Sequence, residues 1–434
     1  MLPDSFTSFF SDLSLIKVLA YFWPFFLIDM SRYLLLDFVV ILQYIPKRYK
    51  QRKLYSIARR NLFQERPLVS VIVPGKNEGQ YIPRLAQSLA LQTYPNIESI
   101  IVDDGSDDST PFIGRRLKRQ GKISQFIRND IRGGKASAAN TALRYCHGKY
   151  IVHLDADSYL AEDAIENILI PFYLDENVGA VGGDLRAANI DASLATRLQA
   201  IEYFKNISTG RTVSSELRIL RIISGAFGAF RKDILDRIYG WDVGPGLDGD
   251  VTLKVRKLGY RVIHEPFAVC YTNVPATFRK LTKQRYRWDR SLIRFRIRKH
   301  YDILLPSGNF RWCNFFSSLD NIFFNLVLNL KWWVYIIQVL LIGRAYIEVI
   351  IIINLVLYGV ANILEFGIAS ILLFRSMSLK EFALFLYLPL VPLYTGMFLR
   401  LVRTFAYVME LFFKVSFFDK WNPWKVSKIA KQNE

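Results

Sequence analysis

Hydrophobic and polar positions follow three regimes along the chain. Residues 15–45 are mostly apolar, broken by Lys17, Asp29, Ser31, Arg32 and Asp37. A bilayer core takes about 20 apolar residues to cross, so this stretch predicts one span with an interfacial turn, or two short tilted segments. Lys47, Arg48, Lys50, Arg52 and Lys53 follow, and basic residues stay cytoplasmic, which places the next segment there. Between 67 and 268 the periods shorten. Residues 69–73 form a β-branched run ending at Pro74 and Gly75, 82–92 carry helical spacing, and 97–102 form a second strand. Residues 136–146 are helical and 150–154 form a third strand. Strands alternating with helices predict an α/β domain, a mostly parallel sheet with helices on both faces. Ligands of such sheets sit at the carboxyl ends of the strands.

Residues 277–300 are strongly basic with interleaved aromatics, the pattern of an amphipathic helix at a membrane surface. Apolar stretches then run over 323–342, 347–374 and 382–401, interrupted by Lys331, Asn354 and Glu365. Polar groups inside spans face the bundle or a cavity, which suits a channel and helix packing equally. Residues 402–418 are interfacial or part of another span. The domains expected are therefore an N-terminal anchor with its basic flank (1–54), the α/β domain (55–275), interface helices (276–318), transmembrane helices (319–418) and a basic tail (419–434). A cytoplasmic tail requires an even count of crossings after the α/β domain. Three stretches stand out, so either one of them is not a span or 402–418 contributes.

Composition narrows the function. Of 434 residues, 51% are hydrophobic and 15% aromatic, concentrated at the two ends, and the net charge is +19. Such charge suits nucleic acid, an anionic membrane or an anionic substrate such as a nucleotide diphosphate. Beside apolar ends the membrane reading leads, and nucleic acid is set aside. Cys146, Cys270 and Cys313 match no zinc or redox spacing, which fits a reducing compartment. The four histidines are scattered.

The chemistry centres on Asp155 and Asp157, two carboxylates just past the third strand. Hard oxygens at this spacing suit Mg2+ or Mn2+ on a diphosphate; taken alone, the pair also reads as a solvated turn. Asp103 and Asp104 close the second strand, where a carboxylate can accept a uracil N–H or simply form a turn. Lys135 follows Gly133 and Gly134, which permit close backbone approach to phosphate or base. Asp248 and Asp250 precede a helix, where a carboxylate can take the proton of a sugar hydroxyl or serve as a helix cap. Gln284 and Arg287 share a helical face, and Trp288 offers a flat ring to a sugar. A snorkelling surface helix explains the arginines of that segment but not the order of its residues.

In this order the motifs resemble the family 2 glycosyltransferases, and most closely the processive membrane branch of cellulose, hyaluronan, chitin-oligosaccharide and poly-N-acetylglucosamine synthases. The likeness runs from about 68 to 288. Residues 71–78 resemble the opening strand and its Asn-Glu loop, ending at Glu78, and 134–140 the Gly-Lys segment. Asp104, with Asp103, is similar to the nucleoside-binding aspartate. Asp155 and Asp157 match the metal-binding pair. Ser224, Gly225, Ala226 and Phe227 resemble the segment beside the acceptor sugar, and 284–288 the Gln-x-x-Arg-Trp motif. Leu247 stands where the family has glutamate, so the resemblance implies Asp248 as the base, with Asp250 as the fallback.

The resemblance implies a GT-A fold, an inverting hexosyltransferase and a β-linked product. It implies donor binding by Glu78, Asp103, Asp104, Lys135, Asp155, Gln284 and Arg287, and acceptor binding by Ser224 to Phe227 and Trp288. The partners implied are a nucleotide sugar, UDP-sugar favoured, a growing glycan or lipid acceptor, membrane lipids and accessory export subunits. The location implied is the cell (inner) membrane, multi-pass, with the catalytic domain cytoplasmic. Three functions compete: a polysaccharide synthase that also exports its product, a transferase adding one sugar to a lipid acceptor, and a non-catalytic nucleotide-binding subunit.

Overall fold

A computed structural model describes residues 4–11, 14–242, 246–306, 310–374 and 376–418; the expected basic tail lies outside them. The centre of the α/β region is an eight-stranded sheet of order β3-β2-β1-β4-β7-β6-β8-β5. Its strands are β1 (Val69–Gly75), β2 (Ile97–Asp103), β3 (Gln125–Arg128), β4 (Tyr150–Leu154), β5 (Ser158–Leu160), β6 (Val178–Ala187), β7 (Phe227–Arg231) and β8 (Arg261–Thr272). Strands β3, β2, β1 and β4 are parallel. β7 then runs antiparallel to both β4 and β6. β8 is parallel to β6, and β5 antiparallel to β8. The sheet is therefore mixed, more so than the alternation of strands and helices predicts.

The apolar strands are buried on both faces, as a covered parallel sheet requires. Val69, Val71 and Val73 enter one core with Val152 and Leu154. Ile72 points the other way, to Ile100, Val102, Ile151 and the alanines of helix Lys135–Leu143. This alternation aligns the carboxyl ends, with Gly75 opposite Asp103.

Buried His264 on β8 lies 3.9 Å from Asp184. Burial, and then the charge of Arg211, pushes its pKa down to about 3. The native state thus holds a neutral imidazole where the unfolded chain takes a proton below its ordinary value of 6.5. Stability from this group is complete above that value and falls by about 1.4 kcal/mol per pH unit as the pH drops towards the native pKa. Melting temperatures scanned across this range should fall less steeply for His264→Leu than for the wild type.

Beyond the sheet, three helices among the described residues are long and apolar enough to cross a membrane: Trp312–Leu341, Arg344–Leu373 and Leu379–Phe413. The third absorbs most of the 402–418 stretch, which is thus continuous with the apolar segment before it. Helices Leu15–Trp23, Pro24–Leu36 and Asp37–Lys50 pack against this group. Asp29 accepts hydrogen bonds from Lys331 Nζ at 3.1 Å and Tyr358 Oη at 2.5 Å. Glu365 pairs with Lys205 at 2.6 Å, and Asn354 donates to the Tyr335 hydroxyl. Each polar interruption of the apolar stretches therefore has a protein partner.

Candidate active site

The parallel half of the sheet delivers three acidic strand ends to one edge. β1 stops at Gly75, where an added Cβ would lie 3.0 Å from Ala156 Cβ and 3.2 Å from Glu78 Cγ. A side chain there would push apart the Glu78 loop and the Asp155–Asp157 turn, so glycine permits their contact. The crowding shows electrostatically. Burial, then Asp157 and Asp155, raises the Glu78 carboxyl to about 8. Burial, then Asp155, raises Asp157 to about 6.

Lys135 enters this cluster from the start of its helix, with Nζ 2.5 Å from Asp155 Oδ1. Burial opposes its charge, but Asp155, Asp248 and Asp157 outweigh that and hold its pKa above the ordinary lysine value. The turn before it is set by Asp104, whose two carboxylate oxygens accept the N–H groups of Gly133 at 2.8 Å and Gly134 at 2.7 Å. Gly134 takes φ +88°, a conformation that favours glycine. Buried Asp103 accepts from Ser106 N–H through Oδ1. Its Oδ2 has no hydrogen-bond partner among the described residues and lies 3.7 Å from Arg128 Nε.

Helix Leu247–Lys257 begins after Gly246 at φ +87°. Its first turn holds both candidate bases in different settings. Asp248 lies over Gly225, where an added Cβ would sit 2.9 Å from Asp248 Cγ and closer still to Oδ1. The Thr252 hydroxyl donates to the Asp248 carbonyl at 2.5 Å and accepts Ile223 N–H at 2.9 Å, tying the helix to the Ser224 loop. Beneath, His153 Nδ1 contacts the Gly225 carbonyl at 2.5 Å. Asp250 points away. It is buried, with Lys299 at 2.8 Å and His300 at 2.7 Å. Burial would raise its pKa, but His300 and Lys299 bring it to about 2. It is an internal ion-pair anchor and unsuited to the fallback role. Leu247 packs into the core with Ile223 and Trp241, where a glutamate would need a partner.

Ser224, Gly225 and Ala226 lie along the same edge, but Phe227 does not fit an acceptor contact. Its ring is fully buried and fills the space above Gly183. Helix Phe278–Leu292, capped by Thr277, carries Gln284, Arg287 and Trp288. Gln284 Oε1 is buried without a hydrogen-bond partner among the described residues. Arg287 is half-buried, and Trp288 is 46% exposed. Tyr203, pushed up to about 12 chiefly by burial, feels the charges of Arg285, Glu202, Arg211 and Asp157.

Arg211 escapes sequence reasoning altogether. Burial lowers its pKa to about 10 against the field of Asp248, and its Nη1 is buried without a hydrogen-bond partner among the described residues. No motif marks it within helix Gly210–Glu216.

Among the described residues no three His, Cys, Asp or Glu side chains form a ready-made metal cage. The oxygen donors still suit Mg2+ or Mn2+, which are usually held by one or two carboxylates completed by substrate phosphates. The mutual crowding of Glu78, Asp155 and Asp157 is the setting that a cation relieves.

The model of the glycosyl transferase family 2 matches residues 70–239. The poly-beta-1,6-N-acetyl-D-glucosamine synthase of Staphylococcus epidermidis is 31% identical over 221 residues, 51% of this chain and 53% of that protein. The enzyme of the same name from Staphylococcus aureus strain COL is 32% identical over 215 residues, 49% and 51% of the two chains. The chain thus spans about half the length of the curated relatives it matches. Among solved structures, the mannosyltransferase PcManGT of Pyrobaculum calidifontis, in complex with GDP-Man and Mn2+, superposes with a TM-score of 0.53. It is 23% identical, and the match covers 87% of this chain and 99% of that one. The mixed sheet is GT-A-like, and residues 70–239 are similar to the glycosyl transferase family 2 domain.

Proposed function

We propose that this chain is an inverting glycosyltransferase that extends a β-linked polysaccharide from a nucleotide sugar, UDP-sugar favoured, at the cytoplasmic face of the cell membrane. The observation that carries the reading is the contact of Lys135 with Asp155 at 2.5 Å, within the field of Asp157 and of Asp248 from a distant part of the sequence.

In this reading Asp248 takes the proton from an acceptor hydroxyl as its oxygen attacks the anomeric carbon of the donor. The new glycosidic bond forms as the bond to the diphosphate breaks, and the nucleoside diphosphate leaves from the opposite face. Lys135, Gln284 and Arg287 meet the departing charge, with Arg287 suited to a diphosphate. Asp155 and Asp157, with Glu78 beside them, would hold a divalent cation that neutralises the same charge. Asp104 sets the glycine turn, while Asp103, paired with Arg128 at 3.7 Å, borders the place of the nucleobase. Ser224, Gly225 and Ala226 border the acceptor, and Trp288 offers it a ring.

One observation favours a second reading, single addition to a lipid acceptor. Lys331, Asn354 and Glu365 each bind a partner within the protein, so these three residues serve packing and not a conduit.

Membranes holding the protein, incubated with radiolabelled UDP- and GDP-sugars with and without EDTA, test both. Long chains from one donor, lost with EDTA, support the synthase. A single added sugar supports the lipid acceptor. No turnover of any donor overturns the catalytic reading.

A further inference from the structure

The second residue of the Gln-Arg-Tyr-Arg-Trp segment, Arg285, has no role in the chemistry above, yet a nearly buried ion pair holds it. Its Nη2 lies 2.8 Å from Glu202 Oε2, with both side chains nearly buried. Glu202 Oε2 also accepts the Tyr394 hydroxyl at 2.8 Å. One carboxylate oxygen thus joins three elements: helix Leu194–Tyr203 of the α/β domain, helix Phe278–Leu292, and the third apolar helix. The guanidinium of Arg285 lies 4.5 Å from the centre of the Trp288 ring. One side of that ring is therefore covered by a cation, while the side chain remains 46% exposed. A second tie runs in parallel, from Asp289 to Arg403 at 3.1 Å.

We infer that Glu202 is a positioning residue for acceptor binding, holding Arg285 against Trp288 so that the open part of the ring meets the acceptor sugar at a fixed distance from Asp248. This rests on the glycosyltransferase reading and adds to it. Glu202 touches neither donor nor acceptor; it acts through Arg285. The Tyr394 contact carries the same constraint to the apolar helices, so a shift of the third helix would be felt at the acceptor ring. A buried ion pair suits this role, because it fixes a register more than it adds stability.

The test uses the full-length protein in detergent or nanodiscs, with oligosaccharides cut from the wild-type product as acceptor probe. For Glu202→Gln the acceptor KM should rise roughly tenfold, the scale of a desolvated cation–ring contact, and product chains should shorten. The donor KM should stay within about twofold, since the carboxylate cluster is untouched. Arg285→Ala should give the same split and add little in the Glu202→Gln background, while Glu202→Asp should restore part of the acceptor affinity. If Glu202→Gln fails to fold, Tyr394→Phe, which removes a single hydroxyl, carries the test with a smaller shift in the same direction.

A lower melting temperature with kcat and both KM values unchanged would make the contact merely structural and overturn the inference. So would equal shifts in donor and acceptor KM, or additive effects of the two substitutions. Failure of the wild type to make any product would instead sink the glycosyltransferase reading itself.

Discussion

Asp248→Asn should lower turnover by about 10²–10⁴-fold, the span that a positioned general base contributes, while the nucleotide still binds. The amide keeps the shape of the side chain above Gly225 and loses its ability to take a proton. Initial rates of donor turnover measure the first effect and calorimetric titration with the nucleoside diphosphate the second. Asp250→Asn is the informative contrast. Asp250 shares its buried Oδ1 with Lys299 and His300, and breaking a buried pair costs about 3–5 kcal/mol. That variant should lose melting temperature and activity together. Undiminished transfer by purified Asp248→Asn would remove it from the mechanism.

Gly225→Ala should be nearly as damaging, by collision. Its new Cβ would meet Asp248 at Cγ, 2.9 Å away, and at Oδ2, 3.0 Å away. The backbone yields easily on neither side. The Asp248 backbone is tied through Thr252 to Ile223, and the Gly225 carbonyl rests on His153. The carboxylate must therefore rotate away from its acceptor, and a misplacement of about 1 Å costs about 10²-fold in rate. Gly249→Ala is the control. A Cβ there meets nothing within 4 Å among the described residues, and its rate should stay within about twofold. Equal rates for the two alanine variants would show that Asp248 is free to move and is not held over the site.

Much of this site is legible without coordinates because apolar strands end abruptly in carboxylates. Asp103, Asp104, Asp155 and Asp157 follow runs of Val and Ile, so their common edge follows from the pattern. The choice between Asp248 and Asp250 is different. Both sit in one helical turn beside a glycine, and only partners some fifty residues away, Lys299 and His300, separate a candidate base from an anchor. Phe227 misleads for a similar reason. Its place beside Ser224 to Ala226 suggests the acceptor, but the gap above Gly183 draws its ring inward. Arg211, Tyr203 and Glu202 lie on helices with no local signature, and tertiary packing alone aims them at the site. The antiparallel β7 is hidden too, since residues 227–231 read as the tail of a motif. The helical region was legible in composition but not in pairing, because apolar periodicity cannot say which buried charges meet.

That pairing bears on biogenesis. Asp29 and Lys331 are 302 residues apart. At about 5–20 residues per second, a ribosome needs roughly fifteen seconds to a minute to supply the lysine after the aspartate has emerged. During that interval an Asp at the centre of a lipid-embedded helix carries a penalty of about 2.5–3.5 kcal/mol. If residues 15–45 enter the membrane as their apolar pattern predicts, their final seating should be a late event, set by the arrival of Lys331 and Tyr358. Truncations ending before residue 331 should leave the amino-terminal segment extractable by alkaline carbonate, whereas chains continuing past residue 358 should retain it.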